Sequence, residues 1–443
     1  MRSAKELILY RDFDRETDDA VIFEQMTSLI EMEEEKRNGK KPAVLREERR
    51  TLFYDTLHRL LEVSASHGFQ GNLWHNYLTY LLISNENAYS KSCEIRGNTE
   101  GSINEIALHD FAIFQYFFEY DLERLARELE IDCVFLILHY QRSEGNGNVF
   151  NQRIRDRICE LSVKLNSTKT TEEFKACVSE FYRDFGVGKL GLHKAFRVKH
   201  TENGAQIVPV TNIAHVHLDD LVGYEIAKEK LIENTEAFVE GREANNCLLF
   251  GDAGTGKSSS IKAIINQYYE KGLRMIEIYK HQFMDLQSVI SQVKNRNYKF
   301  IIYMDDLSFE EFETEYKYLK AVIEGGLEKK PQNVLIYATS NRRHLIRENF
   351  SDKEEIREDM HTSDTVQEKL SLVYRFGVSI YFGAPTKKEF QEIVKVLAKK
   401  HGIKMPLEEL LLEANRWELN HGGRSGRTAQ QFVDYLLGTK EKK

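Results

Sequence analysis

Apolar residues in the first part of the chain recur at the spacing of α-helices. The segments "LFYDTLHRLLEVSASHGF" and "ALHDFAIFQYFFEYDLERLARELEI" place apolar and aromatic residues three or four positions apart, with charged residues between them. We therefore predict a helical N-terminal domain over residues 1–190. Its aromatic stripe, Phe111, Phe114, Tyr116 and Phe117, is expected to be core rather than a base-stacking surface, because periodic apolar residues usually pack.

The apolar pattern then changes to that of β-strands. The segment "FRVKHTENGAQIVPV" alternates around Asn203-Gly204, which predicts a β-hairpin connector over residues 191–217. From residue 218 to 384, five short apolar runs alternate with helical segments: "CLLF", "RMIEIY", "FIIYM", "NVLIYATS" and "VSIYF". This alternation predicts an α/β domain with a five-stranded parallel sheet flanked by helices.

After Pro385 the pattern becomes helical again. Thr386 is followed three residues later by Glu389, which is the spacing of a capping box at a helix start. Residues 385–443 are therefore predicted to form a small helical lid.

The first candidate for chemistry is "GDAGTGKSS", directly after the first of the five strands. It fits the phosphate-binding pattern GxxxxGK[ST] in the strand and helix context that the pattern requires. Glycines let backbone N–H groups surround phosphate oxygens, Lys257 is predicted to reach the β and γ phosphates, and Ser258 to ligate Mg²⁺. The predicted nucleotide-binding residues here are Gly251, Asp252, Ala253, Gly254, Thr255, Gly256, Lys257, Ser258 and Ser259. An accidental Gly-rich turn is the alternative.

Two adjacent carboxylates, Asp305 and Asp306, end the third strand of this series. Parallel sheets place their ligands at the carboxyl ends of strands, so Asp305 is predicted to hold Mg²⁺ and Asp306 to position water. Capping of the following turn is the alternative for the pair. Further along, the fourth strand ends at Asn341, Arg375 precedes the fifth strand, and "GGRSGRTAQQF" brings Arg424 and Arg427 to the start of a lid helix.

Together these features resemble the AAA+ ATPases over residues 218 to about 437. The resemblance implies that Asn341 is the residue called sensor 1, Arg427 is sensor 2 and Arg375 is an arginine finger acting on a neighbouring subunit, with Arg343 as the second candidate. It also implies that "LDDLVGYE", which includes Val222 and Gly223, packs against adenine. ATP and Mg²⁺ are the implied cofactors, and a homo-oligomer is the implied assembly.

The chain is more specifically similar to a bacterial AAA+ family of unknown function. The segments that carry this similarity are "LLFGDAGTGKSS", "MDDLSFE", "LKAVIEGGLEKKPQNVLIYATSNRRHL" and "GGRSGRTAQQF". That family keeps Asp in the position of Asp306, where many ATPases have Glu. The resemblance therefore implies a slow but active ATPase that remodels or loads a protein or nucleic-acid partner. An ATP-gated binding module with little hydrolysis is the alternative, and a small-molecule phosphotransferase is disfavoured by the lid.

Composition narrows the class of protein only modestly. The 443 residues carry a net charge of −8, which does not favour bulk attraction to nucleic acid or anionic lipid. The apolar runs fall well short of the roughly 20 residues that a membrane helix needs, and the N-terminal segment lacks a signal-type apolar core. We expect a cytoplasmic protein.

Overall fold

A computed structural model describes residues 3–11, 13, 18–39, 44–97, 100–141, 152–202, 204–210, 213, 215–309, 315–324, 331–341 and 373–440. The contacts divide the chain into two compact units, Met1–His193 and Lys194–Lys443. We call them the helical unit and the P-loop unit, and each is described by itself.

The helical unit consists of α-helices around one aromatic core. Polar side chains begin several helices in the expected way, since Asn72 accepts a hydrogen bond from the backbone of His75 and Thr170 accepts one from that of Glu173. The described helices are α1 (Asp18–Arg37), α2 (Arg46–His67), α3 (Leu73–Ser84), α4 (Ala88–Arg96), α5 (Ile103–Glu119), α6 (Leu122–Glu128), α7 (Val134–Leu138), α8 (Gln152–Asn166), α9 (Thr171–Phe185) and α10 (Gly188–Leu192).

The aromatic stripe predicted to be core lies on α5. Phe111, Phe114 and Phe117 are fully buried, and Tyr116 packs at the margin of the same cluster. The prediction of a packing role is confirmed, because rings inside a core are not accessible for stacking on a base.

The P-loop unit is built on a seven-stranded sheet in the order β2-β1-β4-β5-β6-β3-β7. Only β1 and β2 pair antiparallel, and the other neighbours pair parallel. The strands are β1 (Ala195–Thr201), β2 (Gly204–Pro209), β3 (Cys247–Gly251), β4 (Leu273–Glu277), β5 (Lys299–Met304), β6 (Val334–Ser340) and β7 (Val378–Phe382). The five predicted parallel strands, β3 to β7, are all present.

The predicted hairpin connector forms β1 and β2, and it extends the sheet instead of standing apart from it. Phe196 and Val198 are buried, whereas Arg197 and Lys199 are exposed, so β1 has one apolar face to cover. Pairing of β1 with β4 along the register Phe196 to Ile276 satisfies the backbone of β4, which would otherwise be an edge strand.

Some helices of this unit lie between the strands in sequence, and others follow the last strand. They are α11 (Glu225–Val239), α12 (Lys257–Tyr268), α13 (Leu286–Val293), α14 (Glu315–Glu324), α15 (Lys387–Lys400), α16 (Leu407–Asn420) and α17 (Gly426–Lys440). The predicted capping box begins α15, where the Thr386 side chain accepts from the Glu389 backbone and the Glu389 side chain from that of Thr386.

The last three helices share a small core of their own, around Phe390, Val394 and Phe432. The fold class predicted from the AAA+ resemblance is thus confirmed: a P-loop α/β sheet flanked by helices, helices at the C-terminus and a helical N-terminal region. In the described part of the chain, every helix is too short or too polar to cross a membrane.

Candidate functional site

A cavity of about 690 Å³ opens at the carboxyl ends of the parallel strands. One side is polar and includes the loop residues Ala253 to Ser260, the carboxylates of Asp305 and Asp306, and Asn341. Another side is apolar, and its side chains come from the segment before α11, the end of β7 and α15: Leu221, Val222, Phe382, Ile393 and Leu397. A polar, phosphate-sized region beside an apolar region suits a nucleotide, which has both parts.

The loop between β3 and α12 has glycines at positions where the backbone conformation and close neighbours disfavour a side chain. Gly251 has φ +134°, and a Cβ atom there would overlap the carbonyl group of Phe382 on β7. Gly254 has φ +74°, and a Cβ atom there would lie 2.9 Å from the Ser425 hydroxyl. The loop is therefore in close contact with both β7 and the start of α17, which larger side chains would prevent.

Lys257 is the first residue of α12 and is only 5% exposed. Its Nζ donates hydrogen bonds to the carbonyl oxygens of Gly251 (2.9 Å) and Asp252 (2.6 Å). Burial lowers the pKa of Lys257, while the nearby carboxylates of Asp252, Asp306 and Asp305 oppose that shift. Gly251 and Asp252 thus lie behind the cavity and fix the lysine that lines it.

Asp305 accepts two hydroxyl hydrogen bonds on one oxygen. Ser258 Oγ donates to Asp305 Oδ1 over 2.7 Å, and Thr339 Oγ1 donates to the same atom over 2.6 Å. Burial raises the pKa of Asp305, but these two hydroxyls and that of Tyr303 outweigh burial and lower it overall. The carboxylate is therefore favoured in its charged form.

The oxygens of Ser258 and Asp305 fit a Mg²⁺ ion. Mg²⁺ prefers oxygen ligands and is usually bound through one or two carboxylates together with substrate phosphates. The described residues contain no group of three or more His, Cys, Asp or Glu side chains that could enclose a metal by themselves.

Asp306 has a left-handed backbone, with φ +49°. Its backbone N–H donates to Thr339 Oγ1 (2.9 Å), and its Oδ1 accepts from Asn341 Nδ2 (2.7 Å). Asp tolerates this conformation better than residues with longer side chains, because its short side chain hydrogen-bonds locally. Asp306, predicted to position water, is therefore in direct contact with Asn341, which the AAA+ resemblance implies is sensor 1.

The predicted arginines differ in their placement. Arg427 lines the cavity, and its backbone N–H donates to the Gly254 carbonyl oxygen over 3.1 Å. Arg424 lies within 3.6 Å of Glu418 in the same helical region. Arg375 lies just before β7, outside the residues that line the cavity. Arg343 lies outside the described residues.

The segment predicted to pack against adenine lies at the apolar side of the cavity. Val222 lines the cavity and also packs against the core of the last three helices, whereas Gly223, with φ +82°, turns the chain beside it. Asp220 in the same segment forms an ion pair of 2.5 Å with Lys400 at the end of α15. This segment therefore contacts both the cavity and the C-terminal helices.

Several cavity residues were missed in the sequence. Thr339 lies inside an apolar strand, where threonine is common, so the pattern did not distinguish it from a packing residue. Its hydroxyl, two positions before Asn341, was the feature of the sequence that could have identified it. Ile393 and Leu397 belong to the apolar face of α15, and periodicity alone cannot separate core positions from cavity positions on such a face. Gln430 and Gln431 also line the cavity, one turn after Arg427.

Comparison with known proteins gave structural and family matches. A mutant of RuvB from Thermotoga maritima superposes with a TM-score of 0.37 at 17% identity, covering 51% of this chain and 67% of that chain. The T. maritima RuvB described as a Holliday junction branch migration motor gives 0.36 at 18% identity, covering 51% and 66%. No curated protein matches the chain. The family model described as "Protein of unknown function (DUF815)" matches residues 191–440, more than half of the chain, which therefore belongs to that family.

Proposed function

We propose that this protein is an ATPase that binds ATP with Mg²⁺ in the cavity and hydrolyses it slowly. One observation carries the proposal: the 2.7 Å hydrogen bond from Ser258 Oγ to Asp305 Oδ1. It joins the first turn of the helix after the phosphate-binding loop to the acid at the end of β5, which is the pair of oxygens that a P-loop ATPase needs beside its phosphates.

The remaining residues have assigned parts in this proposal. The backbone N–H groups of residues 253 to 259 surround the phosphates, and the Lys257 ammonium neutralises the terminal ones. A bound Mg²⁺ would stabilise the charge that develops on the phosphate oxygens. Asp306, held on one oxygen by Asn341, has a second oxygen that can accept a hydrogen bond from the attacking water. Arg427 acts on the same subunit's nucleotide.

Assembly and partner belong to the same proposal. We propose a homo-oligomer in which Arg375 of one subunit acts on the nucleotide of the next, and whose cycle remodels or loads a protein or nucleic acid. The assignment of Arg375 follows the AAA+ resemblance, and Arg375 lies outside the residues that line the cavity of its own chain. Because the substrate is ATP, we place the protein in the cytoplasm.

A second function is favoured by one specific contact. The Asn341 amide donates to the Asp306 carboxylate over 2.7 Å and so occupies one of the two oxygens that could accept a hydrogen bond from water. An ATP-gated binding module, in which occupancy does the work and hydrolysis only resets it, would use this arrangement.

One experiment tests the two functions together. ATP binding and ATP turnover are measured on the full chain, alone and then with single-stranded DNA, RNA or an unfolded protein. Turnover that one of these stimulates supports the ATPase and identifies the class of partner. Tight ATP binding without turnover under all conditions supports the binding module, and absence of ATP binding overturns both.

A further inference from the structure

Thr339 occupies a central position among the candidate catalytic groups. It lies near the end of β6, is 2% exposed and lines the cavity. Its hydroxyl donates to Asp305 Oδ1 (2.6 Å) and accepts from the backbone N–H of Asp306 (2.9 Å). Its own carbonyl oxygen accepts from the Leu307 N–H over 2.6 Å. One residue of β6 thus contacts three consecutive residues at the end of β5.

These contacts use the donor and one acceptor site of the Thr339 hydroxyl. A threonine hydroxyl has a single proton, and here that proton goes to the carboxylate of Asp305. The lone pairs then face the N–H of Asp306, whose backbone is in the left-handed region at φ +49°. The side chain of one acid and the backbone of the next are therefore tied to the same oxygen atom.

We propose that Thr339 is a positioning residue that sets the carboxylate of Asp305 for Mg²⁺ and the backbone of Asp306 for water as one unit. This inference rests on the proposed function, since it assigns Thr339 a part in the same site. The hydroxyl holds one oxygen of the Asp305 carboxylate in place, and its bond to the Asp306 N–H offsets the cost of a left-handed backbone at a residue other than glycine.

A purely structural role for Thr339 makes a different prediction. Threonine is common in strands because its branched side chain packs well there, and that function depends on the methyl group and the volume. A positioning role depends on the hydroxyl. Thr339→Val keeps the shape and removes the hydroxyl, whereas Thr339→Ser keeps the hydroxyl and removes the methyl group.

The test measures how ATP binding and turnover depend on Mg²⁺ concentration in these two variants of the full chain. Because hydrogen bonds to charged groups are the stronger ones, we expect Thr339→Val to raise the Mg²⁺ concentration for half-maximal ATP binding about tenfold or more. Thr339→Ser should retain the wild-type Mg²⁺ dependence within about threefold.

Thr235→Val is the matched control. Thr235 lies on α11 and is fully buried, and its hydroxyl also makes two hydrogen bonds, to the Leu231 carbonyl oxygen (2.7 Å) and the Tyr337 hydroxyl (3.0 Å). It does not line the cavity. Thr235→Val should lower stability and leave the Mg²⁺ dependence unchanged. An equal Mg²⁺ shift in this control would overturn the positioning role.

The outcomes separate the inference from the proposed function. Wild-type protein that binds ATP in a Mg²⁺-dependent way, with Thr339→Val behaving identically, overturns the role of Thr339 alone. Thr339→Ser as impaired as Thr339→Val also overturns it, because the retained hydroxyl would then not be sufficient to position the two acids. Wild-type protein that fails to bind ATP overturns both. If Thr339→Val does not fold, comparison of Thr339→Ser with Thr339→Ala decides the question in the same way.

Discussion

The two units of the chain hold their carboxylates in contrasting ways. In the helical unit, Asp110 on α5 is completely buried and accepts hydrogen bonds from three consecutive backbone N–H groups, those of Ile8 (3.0 Å), Leu9 (2.6 Å) and Tyr10 (3.1 Å). All three donors belong to the main chain of one segment. The carboxylate therefore fixes the beginning of the chain to α5.

In the P-loop unit, Asp305 and Asp306 are exposed to the cavity. Their carboxylates accept from side chains of three other segments, namely Ser258 on α12, Thr339 on β6 and Asn341 after β6. Both units satisfy their acids, so the number of hydrogen bonds does not separate them. The units differ instead in the kind of hydrogen-bond donor and in the access of the acids to a cavity. These differences indicate a structural acid in the helical unit and acids available for chemistry in the P-loop unit.

The largest effect is expected at Arg375. Arginine, like the carboxylates, is used differently in the two units. Arg49 in the helical unit is buried and paired with Glu33 over 2.5 Å, so it belongs to the packing. By the AAA+ resemblance, Arg375 reaches the nucleotide of a neighbouring subunit. Arg375→Ala should leave ATP binding nearly intact and lower turnover by roughly 10³ to 10⁵, as arginine fingers do where measured.

Mixing subunits gives the control for that prediction. A Lys257→Ala subunit with an intact Arg375 should restore turnover to an Arg375→Ala subunit, and wild-type turnover per subunit should rise with protein concentration. Turnover that stays constant across a wide dilution, with no rescue on mixing, would rule out a shared site. Arg343→Ala tests the second candidate in the same assay.

The next largest effect is expected at Asp306. Asp306→Asn keeps the shape and removes the charge that orients water, and loss of such a group typically lowers turnover by about 10² to 10⁴. ATP should still bind, and the complex should accumulate unhydrolysed. Asp305→Asn is the matched neighbour, and it should mainly weaken Mg²⁺-dependent binding. Wild-type turnover by Asp306→Asn would show that the acid is not the catalytic one.

The sequence predicted the parts of the fold that depend on local pattern. Strands β3 to β7 were predictable because each is a short apolar run after a turn signal, and the phosphate-binding loop because its glycines stand between a strand and a helix. The meeting of Ser258 with Asp305 also followed, since parallel strands bring their carboxyl ends to one edge of the sheet.

Features that depend on which strands are neighbours could not be read from the pattern. The contact of Thr339 with Asp305 exists because β6 lies beside β5, and no spacing in the sequence states that order. The pairing of β1 with β4 likewise depends on the order of strands in the sheet, which the sequence does not state. The left-handed backbone of Asp306 is accompanied by a hydrogen bond that its N–H donates to Thr339 on β6 and by one that its carboxylate accepts from Asn341, and these contacts are visible only in three dimensions.

A smaller effect, on stability, is expected at Asp110, the buried acid of the helical unit. Asp110→Ala would leave the N–H groups of Ile8, Leu9 and Tyr10 without their acceptor, and we expect the free energy of unfolding to fall by about 2–4 kcal/mol. Denaturant unfolding measures this change. ATP affinity, measured where the variant is folded, should be unchanged. Asp132→Ala, at an exposed position of the same unit, should change stability by less than about 0.5 kcal/mol. Equal effects of the two substitutions would contradict the structural role of Asp110.

The smallest effect is expected at Lys257, where the P-loop unit uses a buried charge for binding. Two of the three protons on its ammonium group are donated to the Gly251 and Asp252 carbonyl oxygens, which hold the charge at the cavity wall and leave one further donor. A charge-assisted contact with phosphate contributes about 1.5–3 kcal/mol, so Lys257→Ala should weaken ATP binding at least about tenfold by calorimetry. Lys404→Ala removes the same charge from an exposed position away from the cavity and should have no such effect. Equal ATP affinities of Lys257→Ala and wild type would contradict the phosphate-binding role of the loop. They would also contradict the proposed contrast, in which buried charges stabilise the fold of the helical unit and a buried charge binds a ligand in the P-loop unit.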